Sequence, residues 1–400
     1  MMEQAGLLMA FGVGHACFAA LAINVIHGYG IKDRALDPAI RGVLLSIAVI
    51  TPLAGVWLWL SPWPTWPGPI RAYAVACLAM TLVFLPASTI LRSFRKIPEG
   101  ISGRTTDLDL AEALGAETLI GEGRWSWALR LPGNESLRLR REDWVVEVPG
   151  LPISLAGLSI AQVTDLHFAH CYRPRFFEAV ADEIGHGRTD LVFFTGDLLD
   201  HDDCSPWIAP IFSRMSGRIG QFAILGNHDY RHDGPAILGE MARGGFEDVD
   251  GRWVRLESGG STLAIGGTSY PWGECPDPST IPASDFRILL SHSPDMLYRA
   301  ASWGVDLMLS GHNHGGQIRL PVLGPILMPS RYSRRFDRGF FRADRTLLYV
   351  SRGVGGKDPI RYGAPPEISR FVLQPAPRDR IRARGHSPAK AQRRAFSLAR

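Results

Sequence analysis

Three stretches near the N-terminus, residues 4–31, 42–70 and 72–91, contain no Asp, Glu, Lys or Arg. A helix of about 20 apolar residues crosses the roughly 30 Å of a bilayer's hydrocarbon, and its backbone satisfies itself there. The runs therefore predict three transmembrane helices, over residues 5–26, 43–60 and 72–91, in an anchor of residues 1–96. So many charge-free runs so close together argue against buried helices of a soluble domain. A cleaved leader is also disfavoured, since its first segment should be basic and the only early charge is Glu3. The second run ends in a proline-rich segment, residues 61–69, that cannot stay helical. Trp57, Trp59, Trp63 and Trp66 crowd that end, as an aromatic belt at the headgroup level would. Pro52 and Pro86 are expected to kink their helices.

Loop charges orient the anchor. Lys32, Arg34 and Arg41 follow the first run, and Arg92, Arg95 and Lys96 follow the third, while the second loop offers only Arg71. The basic segments belong on the cytoplasmic face, which puts the N-terminus outside and everything after residue 96 inside. His15 and His27 are read as neutral groups near helix ends. No acidic partner lies in the other spans, which argues against a three-helix transporter.

The net charge of +4 hides an asymmetry. Of 43 basic and 39 acidic residues, eight and one lie in residues 374–400, so the rest of the chain is net acidic by three. The tail is rich in Arg, Pro and Ala and is expected to be disordered, lying on anionic lipid, left in solvent or binding nucleic acid non-specifically. A whole-protein case for nucleic-acid binding fails, and no specific nucleic acid or protein partner is indicated. Five Cys in 400 residues, an odd number, exclude a disulfide scaffold and fit a reduced compartment.

Residues 97–142 read as a linker, with a short helix near residues 108–119 and a turn at residues 132–135. From Trp144 the pattern becomes short apolar runs ending in polar clusters. Residues 159–163, 191–194, 221–225, 288–290 and 307–309 predict buried strands, and residues 175–184 and 235–243 predict helices between some of them. Strands alternating with helices predict an α/β sheet.

Each of these five strands runs into a metal-capable cluster: Asp165-Leu166-His167, Gly196-Asp197-Leu198-Leu199-Asp200, Gly226-Asn227-His228-Asp229, Ser291-His292 and Gly311-His312-Asn313-His314. Sites in α/β sheets form at the carboxyl ends of strands. In extended backbone, residues i and i+2 point to one side, so Asp165 and His167 can meet one ion, and His312 and His314 can enter one cavity. Gly196, Gly226 and Gly311 open turns where the backbone passes close to the site. Asp, Asn and neutral His without Cys suit Mn²⁺, Fe or Zn²⁺. Seven such ligands exceed one tetrahedral ion and match two ions sharing a carboxylate, roughly 3.5–4 Å apart.

The ordered set D-x-H, G-D-x-x-D, G-N-H-D, a lone His after a strand, and G-H-x-H resembles the calcineurin-like metallophosphoesterase superfamily, and its membrane-anchored bacterial branch, over residues 143–373. The resemblance implies an α/β fold of the α+β kind, a four-layer αββα sandwich, here preceded by three transmembrane helices. It implies two divalent metal ions (Mn, Fe or Zn). Asp165, His167 and His314 would hold the first, Asn227, His292 and His312 the second, and Asp197 would bridge. His228 would lie beside the pair as general acid toward the leaving oxygen. Asp229 is expected to orient His228, and Asp200 to give outer support or simply cap a turn. Two cations would hold a water as hydroxide for in-line attack on phosphorus and offset the transition-state charge.

Other residues carry less. His170, His201 and His232 read as solvated loop histidines. Cys171 and Cys204 follow two clusters without the spacing of a redox pair. Arg331, Arg334, Arg335 and Arg338, with Arg352, Lys357 and Arg361, form either a phosphate-binding rim or a solvated basic face, and Arg331, Arg334 and Arg335 are the expected substrate contacts. Residues 320–328 are apolar and either touch the bilayer or pack. Where family members often carry an acidic cluster, this chain reads Thr268-Ser269-Tyr270-Pro271-Trp272, a departure expected to affect substrate choice. The sequence thus predicts a multi-pass inner-membrane phosphoesterase with a cytoplasmic site. It would cleave a phosphodiester or pyrophosphate in a lipid or lipid-precursor head group. An anchored nucleotide phosphodiesterase and a non-catalytic membrane scaffold are the alternatives.

Overall fold

The structure, a computed structural model, describes residues 2–31, 33–61, 65 and 67–377. Helix α1 spans Met2–His27, α2 Asp33–Leu60 and α3 Gly68–Ala79. A π-turn, Met80–Phe84, carries α3 into α4, Leu85–Ser93. Pro86 lies just past that turn and has no N–H for the usual i→i−4 ladder, which accounts for the local change of winding. The segments Ala5–His27, Pro38–Trp57 and Gly68–Ser93 are long and apolar enough to cross a membrane. His15 lies mid-helix rather than near an end. Its ring meets Tyr73 of α3 and, at 3.3 Å, Ser46 of α2, so it ties three helices together. Trp63, Trp66 and the tail from residue 378 lie outside the described residues.

Among the described residues fifteen strands follow: β1 Ile101–Asp109, β2 Arg138–Val148, β3 Ser159–Val163, β4 Leu191–Thr195, β5 Gly220–Ile224, β6 Glu247–Asp248, β7 Trp253–Ser258, β8 Ser261–Thr268, β9 Phe286–Ser291, β10 Leu307–Ser310, β11 Arg319–Leu320, β12 Gly324–Pro325, β13 Gly339–Ala343, β14 Thr346–Val350 and β15 Glu367–Pro375. Seven form one sheet in the order β1-β2-β15-β3-β4-β5-β6, and six form a second, β13-β14-β10-β9-β8-β7. Strands β3 to β6 run parallel, as do β8, β9, β10 and β14.

Side-chain alternation stacks the layers. On β4, Leu191 and Phe193 point into the core between the sheets, where Ile288 and Leu290 of β9 meet them. Val192 and Phe194 point the other way, onto Phe177 and Val180 of the helix Pro174–Gly185 and Ile237 of the helix Gly234–Arg243. Leu289 faces outward from the second sheet, against Leu297 and Ala300 of the helix Leu297–Ser302. Helix, sheet, sheet and helix make the four-layer αββα sandwich.

The expected linker is corrected by the sheet. Residues 101–109 form β1, paired antiparallel along its length with β2, so the folded unit begins ahead of residue 143 and ends on Pro375. The polar character that reads as a linker belongs to an edge strand, whose charges are satisfied across the pair. Arg140 meets Asp107 at 2.5 Å, and Thr105 donates to Glu142 at 2.7 Å. The predicted helix at 108–119 is two short ones, Leu110–Leu114 and Ala116–Leu119.

Two ties hold the apolar helices to the sandwich. Asn24 of α1 donates to the Ile326 carbonyl (3.1 Å) and to Ser333 (3.0 Å), and accepts from the Met328 N–H (2.6 Å). Buried Asp337 takes Arg92 (2.9 Å), Arg95 (2.6 Å) and Arg319 (3.0 Å). Burial pushes the Asp337 carboxyl up, and the charges of Arg95, Arg319 and Arg92 more than reverse it, holding it below the usual range.

Candidate metal centre and active site

The parallel strands of both sheets end at one edge, and the five clusters meet there. Asp165 and His167 follow β3, Asp197 and Asp200 follow β4, and Asn227 and His228 follow β5. From the second sheet, His292 follows β9, and His312 and His314 follow β10. Gln162 bridges the sheets beneath them, donating to Thr195 and to the Ser310 carbonyl, both at 3.1 Å.

The turns are strained. Asp165, His167, Asp197, His312 and His314 have φ of 53°, 46°, 58°, 70° and 46°, a left-handed region that such residues seldom occupy. The surrounding backbone holds them: the N–H of His312 donates to Asp165 at 3.0 Å, and that of His228 to Asp197 at 2.8 Å. A Cβ on Gly226 would overlap the Asp197 carboxylate, and one on Gly311 the Asp165 carboxylate, so both turns need glycine for close approach.

Two donor groups result, each with its ligand atoms within 4.8 Å of one another: Asp165, His167, Asp197 and His314, and Asp197, His292 and His312. Asp197 belongs to both. Its Oδ2 lies 3.5 Å from His167 Nε2 and 3.4 Å from His292 Nε2. The Asn227 Oδ1 lies 3.0 Å from His292 Nε2 and completes the second group. Hydrogen bonds orient the rings. His292 donates from Nδ1 to the Thr195 carbonyl at 2.9 Å, which leaves Nε2 facing the cluster.

Buried carboxylates dominate the electrostatics of the site. Burial alone would depress His167, but Asp200, Asp197 and Asp165 outweigh it and push it up to about 9. Burial likewise opposes His292, and Asp197 and Asp165 push it up to about 9. Burial, with His292 for one and His167 and Arg361 for the other, holds His312 and His314 well below the ordinary imidazole range. Their rings meet neighbouring imidazoles, His167 Nε2 to His314 Nε2 at 3.2 Å and His292 Nε2 to His312 Nδ1 at 3.1 Å. Buried carboxylates and converging imidazole nitrogens, with no thiolate, fit divalent cations of the Mn, Fe or Zn kind.

The two outer carboxylates exchange the parts expected of them. Asp200 meets His228 Nδ1 at 2.5 Å and His167 Nδ1 at 3.2 Å. Asp229 is fully buried and accepts from the N–H groups of Gly226 (2.8 Å), Leu198 (2.9 Å), Asp197 (3.0 Å) and Leu199 (3.0 Å). It ties the β4 and β5 turns together instead of orienting His228. Burial and the charge of Asp197 push its carboxyl up to about 6.

A cavity of about 1090 Å³ opens over the cluster, lined by His167, Asp197, Asn227, His228, His312 and His314. Trp272 also lines it, its ring 4.8 Å from that of His312. The sequence marks this stretch only by what is missing from it. The expected substrate contacts Arg331, Arg334 and Arg335 are not among the cavity's lining residues. Arg331 faces Asp295 and Tyr29, Arg334 donates to the Leu323 carbonyl, and Arg335 covers Tyr298 and Phe336. Arg231 and Lys357 line the cavity instead. Buried Arg361 reaches His314 Nδ1 at 3.2 Å, and buried Arg352 is clamped by Glu142 and Glu367. His170 and His232 pair with Asp203 and Asp202, both at 2.7 Å, and all five cysteines are free thiols.

Comparison with known proteins agrees with this geometry. Residues 158–316 match the calcineurin-like phosphoesterase family. The chain is 31% identical over 272 residues to YkuE, an uncharacterized metallophosphoesterase of Bacillus subtilis, covering 66% of this chain and 94% of that one. It is 28% identical over 306 residues to the UDP-2,3-diacylglucosamine pyrophosphatase LpxG of Chlamydia trachomatis, covering 61% and 91%. It is 29% identical over 230 residues to the phosphodiesterase YaeI of Escherichia coli, covering 54% and 83%. The chain belongs to the calcineurin-like phosphoesterases and is a metal-dependent hydrolase of phosphate ester or anhydride bonds.

Proposed function

We propose that the protein is an integral-membrane, two-metal phosphoesterase that hydrolyses a phosphodiester or pyrophosphate bond in a lipid or lipid-precursor head group. The observation that carries this reading is the sharing of Asp197 between two donor groups beneath a cavity that also touches α1 and α2. Asp165, His167, Asp197 and His314 would hold one ion, and Asp197, Asn227, His292 and His312 the other. The ions supply Lewis acidity that lowers the pKa of water and neutralises phosphoryl charge.

The chain's own groups do the rest. Asp200 fixes His228 through Nδ1 at 2.5 Å, so the proton that His228 exchanges with substrate is the one on Nε2. As water adds to phosphorus and the bond to the leaving oxygen breaks, His228 passes that proton to the leaving oxygen. Arg231 and Lys357 line the same cavity as cations for a second phosphoryl group. Arg92 and Arg95 at the end of α4 and Asn24 near the end of α1 hold the sandwich to one face of the helices. With three antiparallel spans that face is the basic, cytoplasmic one. The name of the Chlamydia relative, a pyrophosphatase acting on a nucleotide-linked acyl sugar, supports the diphosphate option.

The test is hydrolysis by detergent-purified protein, metal-stripped and then given Mn²⁺. An aryl phosphodiester, an aryl phosphomonoester and a nucleotide-diphosphate acyl sugar would be compared. Metal-restored cleavage of the diester or the diphosphate ahead of the monoester is expected. Preference for the monoester, or no response to metal, would contradict the proposal.

A further inference from the structure

The cavity is lined by apolar as well as polar residues. Besides Asp197 and His228, its lining includes Ile23 of α1, with Ile40 and Leu44 of α2. Leu327, beyond β12, lines it too and is half exposed, as is Leu44. This wall is fixed to the sandwich, because Asn24, one residue from Ile23, makes three hydrogen bonds to residues 326, 328 and 333. Leu45 and Val49 of α2 are exposed as well. Such side chains face hydrocarbon if the helices span a bilayer.

We infer that these apolar residues form an acyl-chain seat. The substrate is an amphiphile whose phosphoryl group lies at the metal-ligand cluster while its hydrocarbon chain lies along Ile23, Ile40 and Leu44, entering sideways from the cytoplasmic leaflet. The anchor is then part of the active site, not only a tether. This rests on the phosphoesterase reading of the cluster. A small water-soluble diester gains nothing from such a wall. A chain that leaves water for it gains about fourfold in affinity per buried methylene. Arg231 and Lys357 line the same cavity and suit the polar head.

The test uses p-nitrophenyl alkyl phosphates, from methyl to dodecyl, with the full-length protein in detergent and Mn²⁺. In the wild type kcat/KM should rise at least ~10-fold along the series, a modest share of what full burial of the chain allows. Leu44→Trp and, separately, Ile40→Trp fill the seat while keeping the helix apolar, and each should flatten the rise. A flat series in the wild type, or a rise that survives both variants, overturns the seat. Binding is read independently with an alkyl phosphate bearing a diazirine in its tail. Labelling of residues 38–57 should depend on added Mn²⁺, because the head group must dock at the cluster to place the tail. Labelling of that segment that ignores metal overturns the seat even where turnover is normal. Absence of metal-restored hydrolysis across the whole series, with metal-dependent labelling intact, would instead count against the phosphoesterase reading alone.

Discussion

Part of the cavity's lining is polar side chains that follow four strands, several of them in strained turns held by backbone donors. Another part is Ile23, Ile40, Leu44 and Leu327, apolar residues from two helices and a loop far apart in sequence. The polar part tolerates little: a shift of one side chain leaves a buried carboxylate or imidazole facing its neighbours uncompensated. The apolar part depends on shape and apolarity, which several residue types supply. On the proposed reading, bond chemistry and substrate preference belong to these different kinds of structure, and substitutions should separate them.

The largest separation is expected from His228→Ala. Turnover should fall by about 100-fold or more, the scale of acid catalysis, with bound metal unchanged by elemental analysis. Loss of metal along with activity would make His228 a ligand and blur the distinction. Next is Asp337→Asn, which strips a buried carboxylate from three guanidiniums and should cost about 3–5 kcal/mol at the joint. Amide exchange over residues 93–100 should quicken while the metal content of the cluster is retained. The same joint predicts a pH response. The Asp337 carboxyl is depressed in the folded chain, so its contribution is complete above the unfolded value of about 4 and is lost as pH falls below it. The protection factor in that segment, exchange corrected for its intrinsic pH dependence, should therefore be constant between pH 5 and 8, roughly the range of maximal stability, and fall only in acid. The smallest effect distinguishes Asp200 from Asp229. Asp200→Asn should lower activity by about 10–100-fold with little change in melting, since it orients His228 and His167. Asp229→Asn should act through stability, about 1–3 kcal/mol, because it weakens the acceptor of four backbone N–H groups.

The polar cluster is legible in the sequence because each candidate ligand lies within four residues of a strand's end, where chemistry and element boundary coincide. The three apolar helices were legible for the same reason, being local runs. Contacts between distant residues were not legible. Asp200 and Asp229 both sit in Asp-bearing turns, and only the packing of the β4 turn against the β5 turn decides which one meets His228. Strand β1 reads as a linker because its charges find partners on β2 about 35 residues later, as Asp107 does with Arg140. Arg331, Arg334 and Arg335 read as a phosphate rim by composition, whereas their neighbours in space are a carboxylate, a carbonyl and aromatic rings. The wall formed by α1 and α2 had no local signature at all.

The most direct measurement of the central claim is metal content together with phosphodiester hydrolysis, in full-length protein and in Asp197→Ala. Two ions per chain in the wild type, with hydrolysis restored by Mn²⁺, and loss of both metal and turnover in the variant are predicted. An Asp197→Ala protein that still binds two ions and hydrolyses the diester at the wild-type rate would contradict the account of a shared carboxylate at the centre of the site.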